Sequence, residues 1–142
     1  MFMRRYFEFA IAIALIGTLS LFLLGALDSV RSDMEEAIVQ SEAASLRLEL
    51  AEAVVHREAS GGSLPTSVNP LDWVANKPGN YLGAFDAPPD ASSVWYFDRQ
   101  VGELAYRFHS GYVARFRLGR GSVNEKLVIS GISLQRLDRR HE

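Results

Sequence analysis

The chain has 142 residues, no cysteine and a formal net charge of −2. This length holds one modest domain. The missing thiols exclude disulfide staples, thiol catalysis and cysteine-based zinc sites, and the small net charge gives no footprint for nucleic acid. The charge is nevertheless uneven: Asp28 to Glu58 holds eight acids against Arg31, Arg47 and Arg57, whereas Ser93 to Glu142 holds nine bases against five acids. An acidic helix beside a basic sheet suits packing within one molecule or between identical neighbours; the plainer alternative is two solvated faces.

The first element is apolar. After a short N-terminus, residues 1–8, the run from Phe9 to Leu27 carries no charge over 19 residues, close to the roughly 20 that cross a bilayer as a helix. Arg4 and Arg5 precede the run and Asp28 follows it, so the positive-inside rule predicts a cytoplasmic N-terminus and an extracytoplasmic body. A cleaved signal would have a shorter apolar region and a small-x-small site. The best match, Leu24-Gly25-Ala26, has a bulky residue at the first of those positions, so a retained anchor is expected.

Residues 28–59 continue as good helix formers, with no proline before Pro65. Val30, Met34, Ala37, Ile38, Ser41, Ala44, Ser45, Leu48, Ala51 and Val55 recur at three- and four-residue steps and predict the face that meets the domain. Leu46, Leu50 and Val54 widen that stripe on one side. Ser60-Gly61-Gly62 supplies the stop, giving one helix from about Phe7 to Ala59. Residues 60–92 contain Pro65, Pro70, Pro78, Pro88 and Pro89 and read as a long structured loop, packed down through Leu71, Trp73, Val74, Tyr81, Leu82 and Phe85. Residues 93–142 read as short strands at Ser93–Phe97, Glu103–Phe108, Tyr112–Leu118 and Lys126–Leu134, joined by tight turns, with a charged tail from Arg136. Tight turns predict an antiparallel meander, with Arg115 and Arg117 on its wet face and Phe116 and Leu118 against the helix. The expected fold is therefore α+β: a long N-terminal helix, half transmembrane and half amphipathic, against a small antiparallel sheet. Val30, Met34, Ile38, Leu48, Val55, Trp73, Tyr81, Trp95 and Tyr106 are its expected packing residues.

Glu8 stands at the start of the apolar run, and Gly17 follows nine residues later within Ala12-Ile13-Ala14-Leu15-Ile16-Gly17. This resembles the N-terminal signature of type IV pilins and type II secretion pseudopilins. Where many members have a helix-loosening proline, this chain has Gly25. Asn69-Pro70-Leu71-Asp72-Trp73, Pro78-Gly79-Asn80-Tyr81-Leu82-Gly83, Trp95-Tyr96-Phe97-Asp98 and Gly102-Glu103-Leu104-Ala105-Tyr106-Arg107 look like a pattern of pilin-like biogenesis proteins, such as those accompanying mannose-sensitive haemagglutinin pili. The resemblance implies a single-pass protein of a bacterial inner membrane with a periplasmic domain. It also implies a non-catalytic role beside other pilin-like subunits or the assembly platform, with self-association as a further option. The chain departs from the prepilin pattern where Met3 and Arg4 occupy the usual glycine and phenylalanine positions. Peptidase cleavage and N-methylation are therefore not carried over.

Glu8 has two readings. In pilin-like proteins this glutamate neutralises a neighbour's N-terminal amine; within this chain Arg4 and Arg5 lie four and three residues back on the same helical face. Ala10, Ala14, Gly17 and Gly25 would let another membrane helix approach closely. His56, His109 and His141 are scattered, and Glu52 with His56 supplies only two metal ligands. Asp72, Asp86 and Asp90 lack the dense oxygen alternation of a calcium loop. Neither a phosphate-cradling glycine motif nor a serine–histidine–acid arrangement stands out, so no cofactor, metal or catalytic residue is expected. Two rivals remain: a single-pass envelope scaffold that recruits another complex, and a membrane-anchored envelope enzyme.

Overall fold

The computed structural model describes residues 2–120 and 132–137. One helix, α1, runs unbroken from Phe2 to Ala59. Five strands follow: β1 Tyr81–Phe85, β2 Val94–Asp98, β3 Glu103–Arg107, β4 Val113–Arg120 and β5 Ile132–Arg136. The chain forms two compact units, residues 1–36 and 37–142, and α1 contributes to both. The helix ends where the sequence places its stop. Gly61 takes φ +69°, a left-handed conformation that costs glycine little, and the Gly62 N–H closes on the Arg57 carbonyl at 2.9 Å.

The fold is α+β, as expected: α1 packs against one five-stranded sheet of order β1-β2-β3-β4-β5. Strands β2 to β5 form the antiparallel meander. Asp98 belongs to β2 and not to the turn that follows, and β4 extends through Arg120. The expected strand Lys126–Leu134 is met by β5 from Ile132 onward. Lys126 to Gly131 lie outside the described residues, as do Asp138 to Glu142 of the charged tail.

Two expectations are corrected. The first is that residues 60–92 do not form a loop throughout. A 3-10 turn occupies Pro70–Asp72, where the Asn69 side chain accepts from the Leu71 N–H. β1 lies in the same stretch and pairs in parallel with β2, through Tyr81↔Trp95 and Ala84↔Phe97. The register shifts between Tyr81 and Ala84, where Gly83 at φ +115° turns the strand as a bulge does. Five residues broken by a glycine leave no alternation to read. The connection from β1 to β2 is tied down by Arg107, whose guanidinium donates to the Pro89 carbonyl.

The second correction concerns which face of α1 meets the sheet. Val30, Met34, Ile38, Leu48 and Val55 are exposed, Leu48 at 72 %. The buried stripe is Val39, Ala43, Leu46, Leu50 and Val54, about half a turn away at 100° per residue. Both stripes are apolar at helical spacing, so periodicity cannot choose between them. Polar neighbours make the choice: Glu42 on one border accepts from the Trp95 indole, and Arg47 on the other donates to the Leu134 carbonyl at 2.8 Å.

The rest of the core comes from Leu71, Trp73, Trp95, Phe97, Leu104, Tyr106, Phe108, Ala114, Phe116 and Leu134, with Tyr81 partly buried against it. Trp95 is wholly buried at its centre. Its ring meets Tyr106 edge-on at 5.1 Å and Phe116 at 5.3 Å, geometries favoured by the ring quadrupoles. These positions yield a test of the helix face. Leu50→Ala should cost about 2–5 kcal/mol, as truncations in packed cores do, whereas Leu48→Ala should stay within about 0.5 kcal/mol, as exposed substitutions do. Thermal melts of the two purified variants beside the parent, each dilute enough to be monomeric, decide the matter, and equal losses would return Leu48 to the core.

Candidate functional site

Among the described residues three places stand out at which function can reside: the apolar length of α1, a charged face of the sheet, and a groove beside the helix. The N-terminal part of α1 is long and apolar enough to cross a membrane, and none of its 18-residue apolar window is buried by the protein. Its two hydroxyls are satisfied within the helix, Thr18 donating to the Ala14 carbonyl and Ser20 to the Ile16 carbonyl, each at 2.8 Å. That back-bonding removes the polar cost of both side chains in an apolar surround.

Glu8 accepts from Arg4 Nε at 3.3 Å, four residues along the helix. Of the two arginines considered for this partner, Arg4 makes the pair. Both side chains are largely exposed, so the pair is a local contact and leaves Glu8 open to a second one. Ala14 is exposed. At Gly17 and Gly25 an added Cβ would meet nothing within 4 Å. Neither glycine is required by the packing of this chain on itself.

The sheet face away from α1 carries a charge cluster that sequence alternation only half revealed. Asp98 and Glu103 lie directly opposite each other across β2 and β3, and both are buried. Two facing carboxylates repel, and cations on β4 offset this. Arg115 reaches Asp98 at 3.5 Å and Glu103 at 3.4 Å, and Arg117 pairs with the other Glu103 oxygen. Two of the sheet's arginines are thus neutralised within it. The sequence ended the strand at Phe97, one residue short of Asp98, which closes β2 and accepts from the Gln100 N–H of the turn at 3.0 Å. Its second role depends on strand register.

Tyr96 sits on the same face, wholly buried, and its hydroxyl has no hydrogen-bond partner among the described residues. Burial pushes its pKa above 10.0, with nearby Arg115 and Arg107 pulling it down and Asp98 pushing it up. Tyr81 is also raised, chiefly by burial, although its oxygen accepts from Asn69 Nδ2 at 3.0 Å.

The groove, of about 210 Å³, lies between α1 and the stretch before β1, lined by Glu42, Ser45, Glu49, Asn76 and Lys77 among others. Glu42 is held by the Trp95 indole, while Glu49 has no hydrogen bond or ion pair among the described residues. Lys77 lies over the Tyr81 ring at 5.8 Å. The surface is shallow and of mixed charge, and no reacting constellation converges on it.

The remaining sequence candidates disperse. Asp72 accepts from Ser67, Asp86 pairs with Arg99, and Asp90 is exposed. Among the described residues no three His, Asp or Glu side chains are grouped to hold a metal. Trp73, Tyr81, Trp95, Tyr106 and Phe108 belong to the core or pack on it. Periodicity missed the Glu42–Trp95 contact because its partners lie 53 residues apart.

The buried hydroxyl makes an alkaline prediction. Unfolded tyrosines ionise near 10.0 and native Tyr96 and Tyr81 only above it. Native protein therefore holds more protons in that interval, and stability, fully present below pH 10, should fall as pH rises through the native values. Tyr96→Phe should reduce this alkaline loss and raise stability at neutral pH by about 1 kcal/mol, because an unpaired buried polar atom is removed. Denaturant melts at pH 7 and above pH 10 check both, and a destabilised Tyr96→Phe at pH 7 would mean the hydroxyl is paired in solution. Arg115→Ala should cost roughly 1–3 kcal/mol by leaving two facing carboxylates without their bridge, also read from the melt. Set against models of protein families, curated proteins and solved structures, the chain has no match.

Proposed function

We propose that the protein is a non-catalytic accessory component of a type IV pilus or type II secretion-like pseudopilus assembly. It stands in a bacterial inner membrane with its N-terminus in the cytoplasm and residues 37–142 in the periplasm. The observation that carries this reading is the form of α1, a single helix from Phe2 to Ala59 that is bare along its apolar length and bears a sheet farther on. A helix of that kind can be held by lipid and still join other membrane helices. Glu8, Ala14, Gly17 and Gly25 support the reading because they are exposed and the two glycines are unexplained by packing within the chain. Lipid and helices of other pilin-like subunits, or of the assembly platform, are the partners this implies.

The Arg4–Glu8 pair favours a second reading, a single-pass envelope scaffold for another complex. A glutamate paired at home needs no neighbour's amine. Glu8→Gln separates the two. An amide costs less than a carboxylate near lipid, so insertion and abundance should hold. On the pilus reading, cross-links to other membrane helices should fall partially and surface fibres with them. Unchanged fibres and cross-links confine Glu8 to its own chain. If deleting the whole gene also leaves fibre assembly and secretion intact, the scaffold reading replaces the first. Orientation is checked by reporter fusions after Ala59, which should be active only outside the cytoplasm, as Arg4 and Arg5 dictate.

A further inference from the structure

The part of α1 that bears the sheet turns a second apolar face outward. Ala37, Ser41, Ala44, Leu48, Ala51 and Val55 follow one another at alternating steps of four and three residues, the 3.5-residue repeat of a coiled-coil seam. No charge interrupts the seam, which spans roughly 27 Å of helix. The sheet covers the other side of α1 through Val39, Ala43, Leu46, Leu50 and Val54. Leu48 is left 72 % and Val55 45 % exposed.

The flanking charges say what fits this face. Arg47 stands just before Leu48, and Glu52 just after Ala51. When two such helices lie parallel and in register, the residue before the first seam position meets the residue five places farther along the partner. Arg47 of each copy then faces Glu52 of the other. An antiparallel pair matches like flank with like flank and brings no opposite charges together. Both groups have capacity to spare. Arg47 uses Nε on the Leu134 carbonyl, which leaves its terminal nitrogens, and Glu52 has no hydrogen bond or ion pair among the described residues.

We propose that this face binds a second copy of the chain, parallel and in register, with an Arg47–Glu52 pair on each side of the seam. The small alanines let the two helix axes approach closely. The pairing does not depend on the pilus reading, since it concerns the chain with itself.

The absence of cysteine makes the test clean. Full-length Leu48→Cys and Val55→Cys variants, mildly oxidised in native membranes, should form disulfide-linked species of twice the chain mass. His56→Cys, exposed beside the seam, should not. In the Leu48→Cys background, Glu52→Arg should lower the dimer yield about fivefold, and adding Arg47→Glu should restore it. Cross-linking as strong at His56 as at Leu48, an adduct with a different chain in place of the dimer, or no effect of Glu52→Arg would each overturn the proposal. Because Arg47 also touches β5, the double variant counts only if its melt matches the parent; otherwise the cysteine pattern and Glu52→Arg alone decide.

Discussion

The hydrogen bond from the Trp95 indole to Glu42 is the contact on which the packing of residues 37–142 depends. Trp95 is the hub of the aromatic core, touching Tyr106 and Phe116. A buried indole N–H without a partner is costly, so the ring settles only where an acceptor can follow it. Glu42 provides that acceptor from the edge of the buried helix stripe. Arg47, on the opposite edge, binds the Leu134 carbonyl. Together the two polar contacts fix the rotation of α1 against the sheet, and every other helix contact follows from that rotation.

That rotation divides the surface of α1 by role. One side is committed to Val39, Ala43, Leu46, Leu50 and Val54, the other remains an apolar seam of small residues with Leu48 and Val55. A helix that was apolar on one side only would have spent its stripe on its own sheet. This one has a second stripe, and an exposed apolar face in water is retained at a cost in solubility. The two polar residues beside that face, Arg47 and Glu52, are spaced as a parallel partner would need.

The sheet has two unlike faces. Toward α1 it presents aromatic and aliphatic side chains that bury apolar area. On the other face, Asp98, Glu103, Arg115 and Arg117 form a self-contained network, with Tyr96 buried beside it. The carboxylates are buried while Arg115 and Arg117 stay partly exposed, so the pairs add little net stability, but losing an arginine strands a buried charge. The network therefore acts less as an adhesive than as a register lock, because a one-residue slip of β3 would turn Glu103 toward the helix and Leu104 away from it.

Sequence alone determined the long apolar start of the helix, its end near Ala59, the α+β class and the antiparallel strands after residue 93. Each rests on a local signal: a charge-free run, a Ser-Gly-Gly stop, and short alternating segments with turn residues between them. Of two apolar stripes on α1, it set the wrong one, with Leu48 and Val55, against the sheet. Both satisfy the same three- and four-residue spacing, and the deciding contacts join Glu42 to Trp95 and Arg47 to Leu134 across 53 and 87 residues. It also missed β1, whose five residues include the Gly83 bulge and whose parallel pairing leaves no turn between neighbours. At the candidate site, Glu8 with Arg4 was legible because the helix places them one turn apart. The Asp98–Glu103–Arg115–Arg117 cluster was not, because its members meet only through strand register. Periodicity records which residues share a face, and only tertiary packing decides what that face is set against.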